Sequence, residues 1–308
     1  MLVYDNLTLK NSTNDNFVAL GSFDGLHLGH LSLINKVKEV AKDSNGKSMV
    51  FTFKNHPRDI LKKNDKIKLL MSNSEKIKIL EENEIDILVF KDFDNDIMKM
   101  SPEDFIKWLC LNYNIKGIVV GFNFRFGYKN SGDIDLLSKL QEKYQYKLYV
   151  MDPFIFKDEV VSSTRIRNEV LQGNVKNSLE MLSRPYMTKG TVVHGKKLGR
   201  TLGFPTANIK IYDNKIIPGK GVYYTNVQVN DEIFKGITSI GNNPTVKGRE
   251  ITIETYILDF NSDIYDEDIN LFFIEKIRNE IKINSLEELK EQLNKDKLFA
   301  INNKYILR

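Results

Sequence analysis

Cysteine is nearly absent from this sequence, which has only Cys110 among 308 residues. A single thiol cannot form an intramolecular disulfide, and the N-terminus lacks the basic stretch and apolar core of a signal peptide. The sequence also lacks a run of roughly 20 apolar residues, the length that a membrane-spanning helix needs. These absences predict a cytoplasmic protein that does not enter a membrane.

A strong excess of one charge sign is missing as well. Lys and Arg number 45 against 41 Asp and Glu, and the net charge is +4. This balance predicts no binding of nucleic acid or of a membrane surface, whereas small anionic ligands are compatible with it. The length and the 41% hydrophobic share suit a globular protein of two domains. The sequence leaves the oligomeric state open, with a weak homo-oligomer as one option.

The first half of the chain alternates short apolar strands with amphipathic helical segments. The predicted strands are 17–20, 49–53, 85–90, 117–120 and 148–151. This alternation predicts an α/β domain with a doubly wound, mainly parallel sheet. Because ligands bind beyond the carboxyl ends of the strands in such sheets, we expect the site at that edge.

The first predicted strand runs into a turn that contains Gly21, Gly25 and Gly29 and then opens a helix. His27 and His30 fall at the helix start, and their i, i+3 spacing places both imidazoles on one side. Unpaired backbone N–H groups and a partial charge of roughly +0.5 attract anions there. The pattern predicts a phosphate site, and it leaves a metal site or a surface turn without chemistry as alternatives.

Two further segments follow predicted strands. His56-Pro57 comes after the second strand, where it either caps a turn or reaches a ligand. Residues 121–127 follow the fourth strand and form either an aromatic core loop or a loop that folds over a flat anionic ligand. The next turn reads as the start of a helix, with Asp133 as its cap.

The segment 161–167 places hydroxyl groups and arginine near another predicted helix start. Ser163 or Thr164 can serve as the N-cap of this helix. The functional interpretation adds Arg167, since hydroxyls, backbone amides and a guanidinium can converge on phosphate oxygens.

The pattern changes to period two after Arg184-Pro185, which predicts a domain boundary between them and domains 1–184 and 185–308. The predicted strands are 188–194, 222–229, 234–240, 251–258 and 269–277. A capping box at Ser285–Glu288 predicts a final helix to about residue 299. Together these features predict a small antiparallel β-barrel with a C-terminal helix.

Two glycine-containing stretches lie near the start of this barrel. Residues 190–197 approach a P-loop pattern, but Lys197 replaces the required Ser or Thr, so we exclude a P-loop. In residues 199–208 the glycines permit a tight backbone, and Thr206 and Asn208 alternate onto one side. Two neutral oxygen ligands suit Mg²⁺ that is already held by nucleotide phosphates. A plain β-turn is the alternative.

Glu254 lies on an alternating strand, where it is either a solvent-facing carboxylate or a catalytic base.

These motifs together resemble the bacterial bifunctional riboflavin kinase/FAD synthetases. The stretch F-D-G-L-H-L-G-H at 23–30 is similar to the H-x-G-H nucleotidyltransferase signature, and G-R-T-L-G-F-P-T-A-N at 199–208 to the flavokinase motif. The resemblance covers residues 16 to 298. It implies that a C-terminal barrel makes FMN from riboflavin and ATP, and that an N-terminal nucleotidyltransferase domain makes FAD and pyrophosphate from FMN and ATP, both with Mg²⁺.

The resemblance also implies roles for individual residues. Glu254 matches the catalytic base of the kinase, and His27, His30 and Arg167 match catalytic residues of adenylyl transfer. The implied ATP and phosphate contacts are Gly21, Phe23, Asp24, Gly25, Gly29, Ser162, Ser163, Thr164, Gly195, Lys196, Gly199, Arg200, Thr206 and Asn208. The implied flavin contacts are His56, Pro57, Asn123, Phe124, Arg125, Phe126 and Arg278. Thr206 and Asn208 are the implied Mg²⁺ ligands.

The sequence departs from the family pattern at three positions. Asn130 stands where many relatives carry arginine, which predicts a weaker phosphate contact in the adenylyl site, although Lys129 can compensate. Val246 and Ile283 replace aromatic residues, which predicts altered packing near the flavin and an altered flavin affinity. The alternatives to the bifunctional reading are an enzyme with one surviving activity and a flavin-sensing protein that reuses the fold.

Overall fold

The computed structural model describes residues 1–9, 14–55, 67–195, 199, 202–212, 214–242, 251–304 and 307. The chain divides into two compact units, Met1–Ser163 and Thr164–Arg308. The predicted site residues His56, Pro57, Lys196 and Arg200 lie outside the described residues. Among the described residues, no helix is long and apolar enough to cross a membrane.

The first unit is built on a parallel six-stranded sheet. Its strands are β1 (Leu2–Asp5), β2 (Asn16–Leu20), β3 (Lys47–Phe53), β4 (Ile87–Lys91), β5 (Ile115–Gly121) and β6 (Lys147–Met151). They pair in the order β1-β4-β3-β2-β5-β6, and all five pairings are parallel. All five predicted strands are present, which confirms the α/β prediction, and β1 is an additional edge strand that was not predicted.

The strand order places a topological switch point beside β2. The chain runs from β2 through β3 to β4 on one side, and then returns to the other side of β2 with β5 and β6. Ligand crevices in such sheets form beyond the carboxyl ends of the strands at this reversal. The turn after β2 and the loop after β5 therefore both lie at the position where this fold binds ligands.

Helices cover both faces of this sheet. They are α1 (Leu28–Asp43), α2 (Asn73–Glu82), α3 (Asn95–Lys99), α4 (Pro102–Tyr113) and α5 (Ile134–Tyr144). Val18 and Leu20 face a core cluster with α4 and α5, while Phe17 and Ala19 face a second cluster with α1 and α2. Because successive side chains of a strand point to opposite faces, burial on both sides explains the uninterrupted apolar run of β2.

Side-chain caps fix where several of these helices begin. Ser72 and Glu75 form a complete capping box at the start of α2. Asp133 accepts a hydrogen bond from the Leu136 N–H at 3.0 Å, which confirms its predicted role as the cap of α5. After β6, a short hairpin of β7 (Ile155–Phe156) and β8 (Glu159–Val160) leads toward the next helix.

The second unit contains a closed antiparallel barrel. Helices α6 (Ser163–Gln172) and α7 (Val175–Leu182) precede it, and α8 (Leu286–Asn302) follows it. The strands are β9 (Tyr186–Val193), β10 (Thr206–Lys210), β11 (Gly221–Val229), β12 (Glu232–Asn242), β13 (Ile251–Ile257) and β14 (Asp268–Arg278). They close in the order β10-β13-β12-β11-β14-β9, which confirms the barrel and its terminal helix. Residues 190–193 belong to β9, in agreement with the exclusion of a P-loop.

Packing assigns α7 to the barrel side of the chain. Leu179 packs against a cluster that contains Val222 and Tyr224 of β11 and Ala300 of α8. The division between Ser163 and Thr164 therefore lies earlier than the predicted boundary at 184/185. The proline at 185 correctly marks the end of helical structure, but the apolar face of α7 is buried against the barrel.

Ser285 begins α8 as predicted, since its side chain accepts a hydrogen bond from the Glu288 N–H at 3.1 Å. The second half of the capping box differs from the prediction. The Glu288 carboxylate accepts from the N–H of Asn284 at 2.9 Å.

Candidate active sites

The turn between β2 and α1 brings the two predicted histidines into direct contact. His27 is the N-cap of α1, and its Nδ1 accepts a hydrogen bond from the His30 N–H at 3.3 Å. The two rings stack with their centroids 3.7 Å apart. Because Nδ1 is the acceptor, the neutral His27 ring carries its proton on Nε2, which makes that atom a hydrogen-bond donor.

The glycines of this turn allow the backbone and the rings to approach each other closely. Gly25 has φ +88°, and Phe23 and Leu26 adopt positive φ as well. Non-glycine residues in this region cost about 1–3 kcal/mol each, and such strain is concentrated at functional sites. A Cβ at Gly29 would lie 3.2 Å from the His27 ring. Gly21 is packed in a similar way against the Phe23 ring.

Phe23 and Asp24 stabilise this turn through buried contacts. The buried Phe23 ring packs edge-on against His30 with centroids 5.2 Å apart. The buried Asp24 carboxylate accepts a hydrogen bond from the Leu70 N–H at 3.0 Å, and the Asp24 carbonyl accepts one from Ser163 Oγ at 2.8 Å. These contacts fasten the turn to two distant segments, so both residues hold the site in shape.

The remaining predicted phosphate contacts lie at the end of the first unit and the start of the second. Ser162 is half-buried directly before α6, whose first residue is Ser163. The two predicted caps, Ser163 and Thr164, therefore lie inside the first turn of the helix, and Ser162 occupies the capping position. Thr164 and Arg167 lie in the first two turns of α6, Thr164 exposed and Arg167 half-buried.

The loop after β5 combines both of its predicted interpretations. Phe126 is buried in the sheet core near Phe105, and Phe124 stacks on it with centroids 5.6 Å apart. Asn123 and Arg125 are exposed instead, and Arg125 pairs with Asp133 at 3.0 Å. Phe124 and Phe126 therefore anchor the loop, while the polar side chains of Asn123 and Arg125 face outward at the switch point.

In the second unit, strand pairing brings the predicted kinase residues together. Asn208 of β10 lies directly opposite Glu254 of β13, and Ser239 of β12 flanks Glu254 on its other side. Directly opposed residues share a face, with Cβ atoms about 4.5–5.5 Å apart. Thr206 lies two residues before Asn208 and therefore shares this face. The stretch is a strand from Thr206 onward, which rules out the β-turn alternative for these two side chains.

The two predicted glycines beside this face are positions of close approach. A Cβ at Gly195 would collide with the Asn208 amide, and one at Gly199 would collide with the Phe204 carbonyl oxygen. Glu254 is exposed, whereas its neighbours Ile253 and Thr255 are buried. The carboxylate is thus accessible on the face that carries Thr206 and Asn208.

Arg278 has a structural partner that the sequence did not indicate. Its Nε and Nη2 atoms donate to the Asp296 carboxylate at 2.8–3.1 Å, which ties β14 to α8. The side chains of Arg278 and Asp296 are 19% and 1% exposed. Because two of the three guanidinium nitrogens donate to Asp296, the geometry favours a structural role for Arg278 over the predicted flavin contact.

The sequence also gave no indication of Lys76, a buried cation beneath the β2–α1 turn. Its ammonium donates to the Ser22 carbonyl at 3.0 Å. A lysine within a helix normally projects into solvent, and only the folded arrangement shows that this one does not.

Comparison with known proteins identifies the family. The FAD synthetase family model matches residues 9–165, and the riboflavin kinase family model matches residues 182–303. A bifunctional riboflavin kinase/FMN adenylyltransferase of Listeria monocytogenes is 36% identical over 91% of this chain and 89% of its own. The enzyme of the same name in Bacillus subtilis is 34% identical over 95% and 94%. The chain belongs to this bifunctional family.

A solved structure extends the likeness of this riboflavin kinase/FMN adenylyltransferase family member to the fold. The crystal structure of a macrolide-efflux protein from Streptococcus pneumoniae matches with a TM-score of 0.91 and 29% identity. The match covers 99% of this chain and 100% of that one. Its name differs from those of the sequence relatives, and the property that it shares with this chain is the fold.

Proposed function

We propose that this chain makes FMN from riboflavin and ATP in its barrel, and FAD from FMN and ATP in its α/β unit. The observation that carries this proposal is that each reaction has its own family domain in the chain. The contact between the His27 and His30 rings supports the first site that we propose, and the pairing of Asn208 with Glu254 supports the second.

In the barrel, the reaction requires removal of a proton from a primary hydroxyl of riboflavin. The exposed Glu254 carboxylate accepts this proton as the hydroxyl oxygen attacks the γ-phosphorus of ATP, and ADP leaves. A positioned carboxylate of this kind contributes on the order of 10²- to 10⁴-fold. Thr206 and Asn208 lie beside it on the same face and orient the phosphates.

In the α/β unit, the nucleophile is already an anion. A phosphate oxygen of FMN attacks the α-phosphorus of ATP, and pyrophosphate leaves with the bonding electrons, so no general base is needed. Catalysis depends on in-line positioning and on stabilising charge at the phosphates. The N-terminus of α1 and the Nε2–H of His27 supply donors for this purpose, and we assign the same role to His30, Ser162 and Ser163 of the same unit. The roles of Thr164 and Arg167, which follow the last residue of this unit, stay predictions from the sequence.

The residues of the barrel fit Mg²⁺ bound together with ATP. Among the described residues, no cluster of three or more His, Cys, Asp or Glu side chains forms a metal cage. Thr206 and Asn208 instead offer neutral oxygens on one face, which suits a cation that takes most of its ligands from phosphates and water. Bound there, Mg²⁺ would neutralise phosphate charge during transfer.

We also propose that the partners of the chain are these small molecules, in the cytoplasm, without nucleic acid. The near balance of positive and negative residues supports this assignment.

A time course tests the proposed function. Purified protein is incubated with riboflavin, ATP and Mg²⁺, and riboflavin, FMN and FAD are separated by chromatography, with a chelator as control. We expect FMN to rise first and then to give way to FAD, with both products abolished by the chelator. Accumulation of FMN without FAD would contradict the role of the α/β unit, and absence of both products would contradict the whole proposal.

A further inference from the structure

Lys76 is a buried lysine in the first turns of α2 whose contacts lead to the His27–His30 turn. It is 5% exposed. Its Nζ donates to the Ser22 carbonyl at 3.0 Å and to Thr52 Oγ1 at 3.4 Å. Thr52 Oγ1 donates to the same Ser22 carbonyl at 3.0 Å, so one backbone oxygen receives two donors. The carbonyl of Ser22 is thereby fixed to the end of β3 and to α2.

Asp24 supplies the opposite charge beside this ammonium. Its buried carboxylate attracts Lys76 and accepts the Leu70 N–H at 3.0 Å. A buried charge is tolerated when it is hydrogen-bonded and lies in the field of an opposite charge, and Lys76 meets both conditions. Ser22 and Asp24 flank Phe23, which packs against the His30 ring. The contacts of Lys76 thus reach the strained part of the turn, directly before the two histidines.

We propose that Lys76 is a positioning residue for adenylyl transfer, whose ammonium group holds the Ser22 carbonyl and attracts the nearby Asp24 carboxylate, and so fixes the turn that presents His27 and His30. This inference rests on the proposed function of the first unit. Lys76 acts through the turn and is not assigned a contact with substrate. It lies in the wall of a cleft that also includes Lys54 and Asn55 at the end of β3.

The charge state of Lys76 gives the proposal a specific signature. Burial lowers the pKa of Lys76 to about 8, and the Asp24 charge opposes this shift. As the pH rises through this value, Lys76 loses its proton and with it the attraction to Asp24. An arginine at the same position stays protonated, so its hold on the turn would persist.

The other groups around Lys76 do not reproduce this behaviour. Hydrogen bonding to Asp5 raises the pKa of Lys54, which therefore stays charged. Strand β4 contributes the uncharged Phe90 ring, 5.8 Å from Nζ. On α2 itself, the Glu75 carboxylate accepts the Ser72 N–H in the capping box. Deprotonation of Lys76 would therefore remove its attraction to one acidic group, Asp24.

The test compares the full-length chain with Lys76→Met, Lys76→Arg and the matched control Lys78→Met, which makes the same change at an exposed position of α2. The kcat and KM of FAD formation from FMN and ATP are measured across a pH range that spans 8, and riboflavin phosphorylation is measured in the same samples. Losing a charged hydrogen bond predicts roughly ten- to hundredfold lower kcat/KM for FAD formation in Lys76→Met. Lys78→Met and the kinase activity should stay unchanged.

The pH profiles separate positioning from a merely structural role. Wild-type FAD formation should decline above pH 8, whereas Lys76→Arg should restore activity at neutral pH and lack this decline. Wild-type activity in Lys76→Met, or the same decline in Lys76→Arg, would overturn the proposal. Loss of activity in both lysine variants with an unchanged pH profile would also overturn it. A wild-type chain that makes FMN but no FAD would instead reject the proposed function of the first unit.

Discussion

Glu254 is exposed between buried neighbours on barrel strand β13, and this position makes its contribution to catalysis separable from its contribution to folding. Substituting an exposed carboxylate by its amide changes little in packing, because the two groups have nearly the same shape. The side chain would lose its ability to accept a proton while the strand pairing with Asn208 and Ser239 remains. A defect caused by this change would therefore report chemistry.

We predict that Glu254→Gln lowers the rate of FMN formation from riboflavin by about 10²- to 10⁴-fold, the range for removal of a general base. FAD formation from added FMN should continue at the wild-type rate, since that reaction needs no base and takes place in the other unit. Both rates are measured by chromatography of the flavins. An undiminished kinase rate would remove Glu254 from the catalytic role.

His30→Ala is the reciprocal control for this experiment. It removes one ring of the His27–His30 stack, so FAD formation should fall while riboflavin phosphorylation persists. Loss of both activities in either variant would mean that the substitution damaged the fold and would disqualify that variant as a test.

Sequence distance decided which residues of these sites could be predicted. The contact between His27 and His30 follows from helical spacing, so three residues of sequence contain the information. Lys76 instead reaches Ser22 and Thr52, which lie 54 and 24 residues away in the chain. No local pattern encodes such contacts, and the helical context predicts an exposed side chain.

At the scale of elements, the period and length of the apolar runs explain which strands could be predicted from the sequence and which could not. Strand β2 and its partners are predictable because their apolar runs are buried on both faces. The short apolar run at residues 1–4 contains β1, but Leu2 and Val3 are exposed, and the run alone does not show that it pairs with β4 at the edge of the sheet. The pairing of β10 with β13, which creates the kinase face, depends on the closure of the barrel and is invisible in either strand alone.

The packing of α8 against the barrel also depends on a long-range contact, the ion pair between Arg278 of β14 and Asp296 of α8. We predict that Asp296→Ala destabilises the second unit by about 3–5 kcal/mol, because it leaves the partly buried Arg278 charge without its carboxylate. The double variant Arg278→Met/Asp296→Leu should recover much of this loss, since it removes both charges and keeps apolar volume. Thermal unfolding followed by circular dichroism measures the change.

The fluorescence of Trp108 supplies an internal control for that melt. Trp108 is the only tryptophan of the sequence and lies in α4 of the first unit. Its fluorescence should therefore be unaffected by a substitution in the barrel. If the second unit of Asp296→Ala melts at the wild-type temperature, the ion pair does not stabilise the packing of α8 against the barrel. A double variant as unstable as the single one would show that packing, and not the unpaired charge, causes the loss.

At the scale of the whole chain, the segment that links the two family domains belongs structurally to the second unit. The family matches end at residue 165 and resume at residue 182, and α6 and α7 occupy the interval. Leu179 joins the barrel cluster, and the Gly219 N–H donates to the Val170 carbonyl at 3.0 Å. The predicted boundary at Pro185 rests on local backbone chemistry, whereas these contacts join residues that are far apart in the sequence.

This assignment predicts that a fragment of residues 164–308 is more stable than a fragment of residues 185–308. The shorter fragment exposes the barrel surface that α7 covers, and each large apolar side chain that loses its cover costs about 1.5–3 kcal/mol. We therefore expect 164–308 to melt cooperatively and to phosphorylate riboflavin, and 185–308 to melt at a lower temperature or to aggregate. Equal melting temperatures for the two fragments would place the boundary at 184/185 and leave α6 and α7 with the first unit. The comparison decides the domain boundary by the free energy of unfolding, the quantity that burial of Leu179 and its neighbours should change.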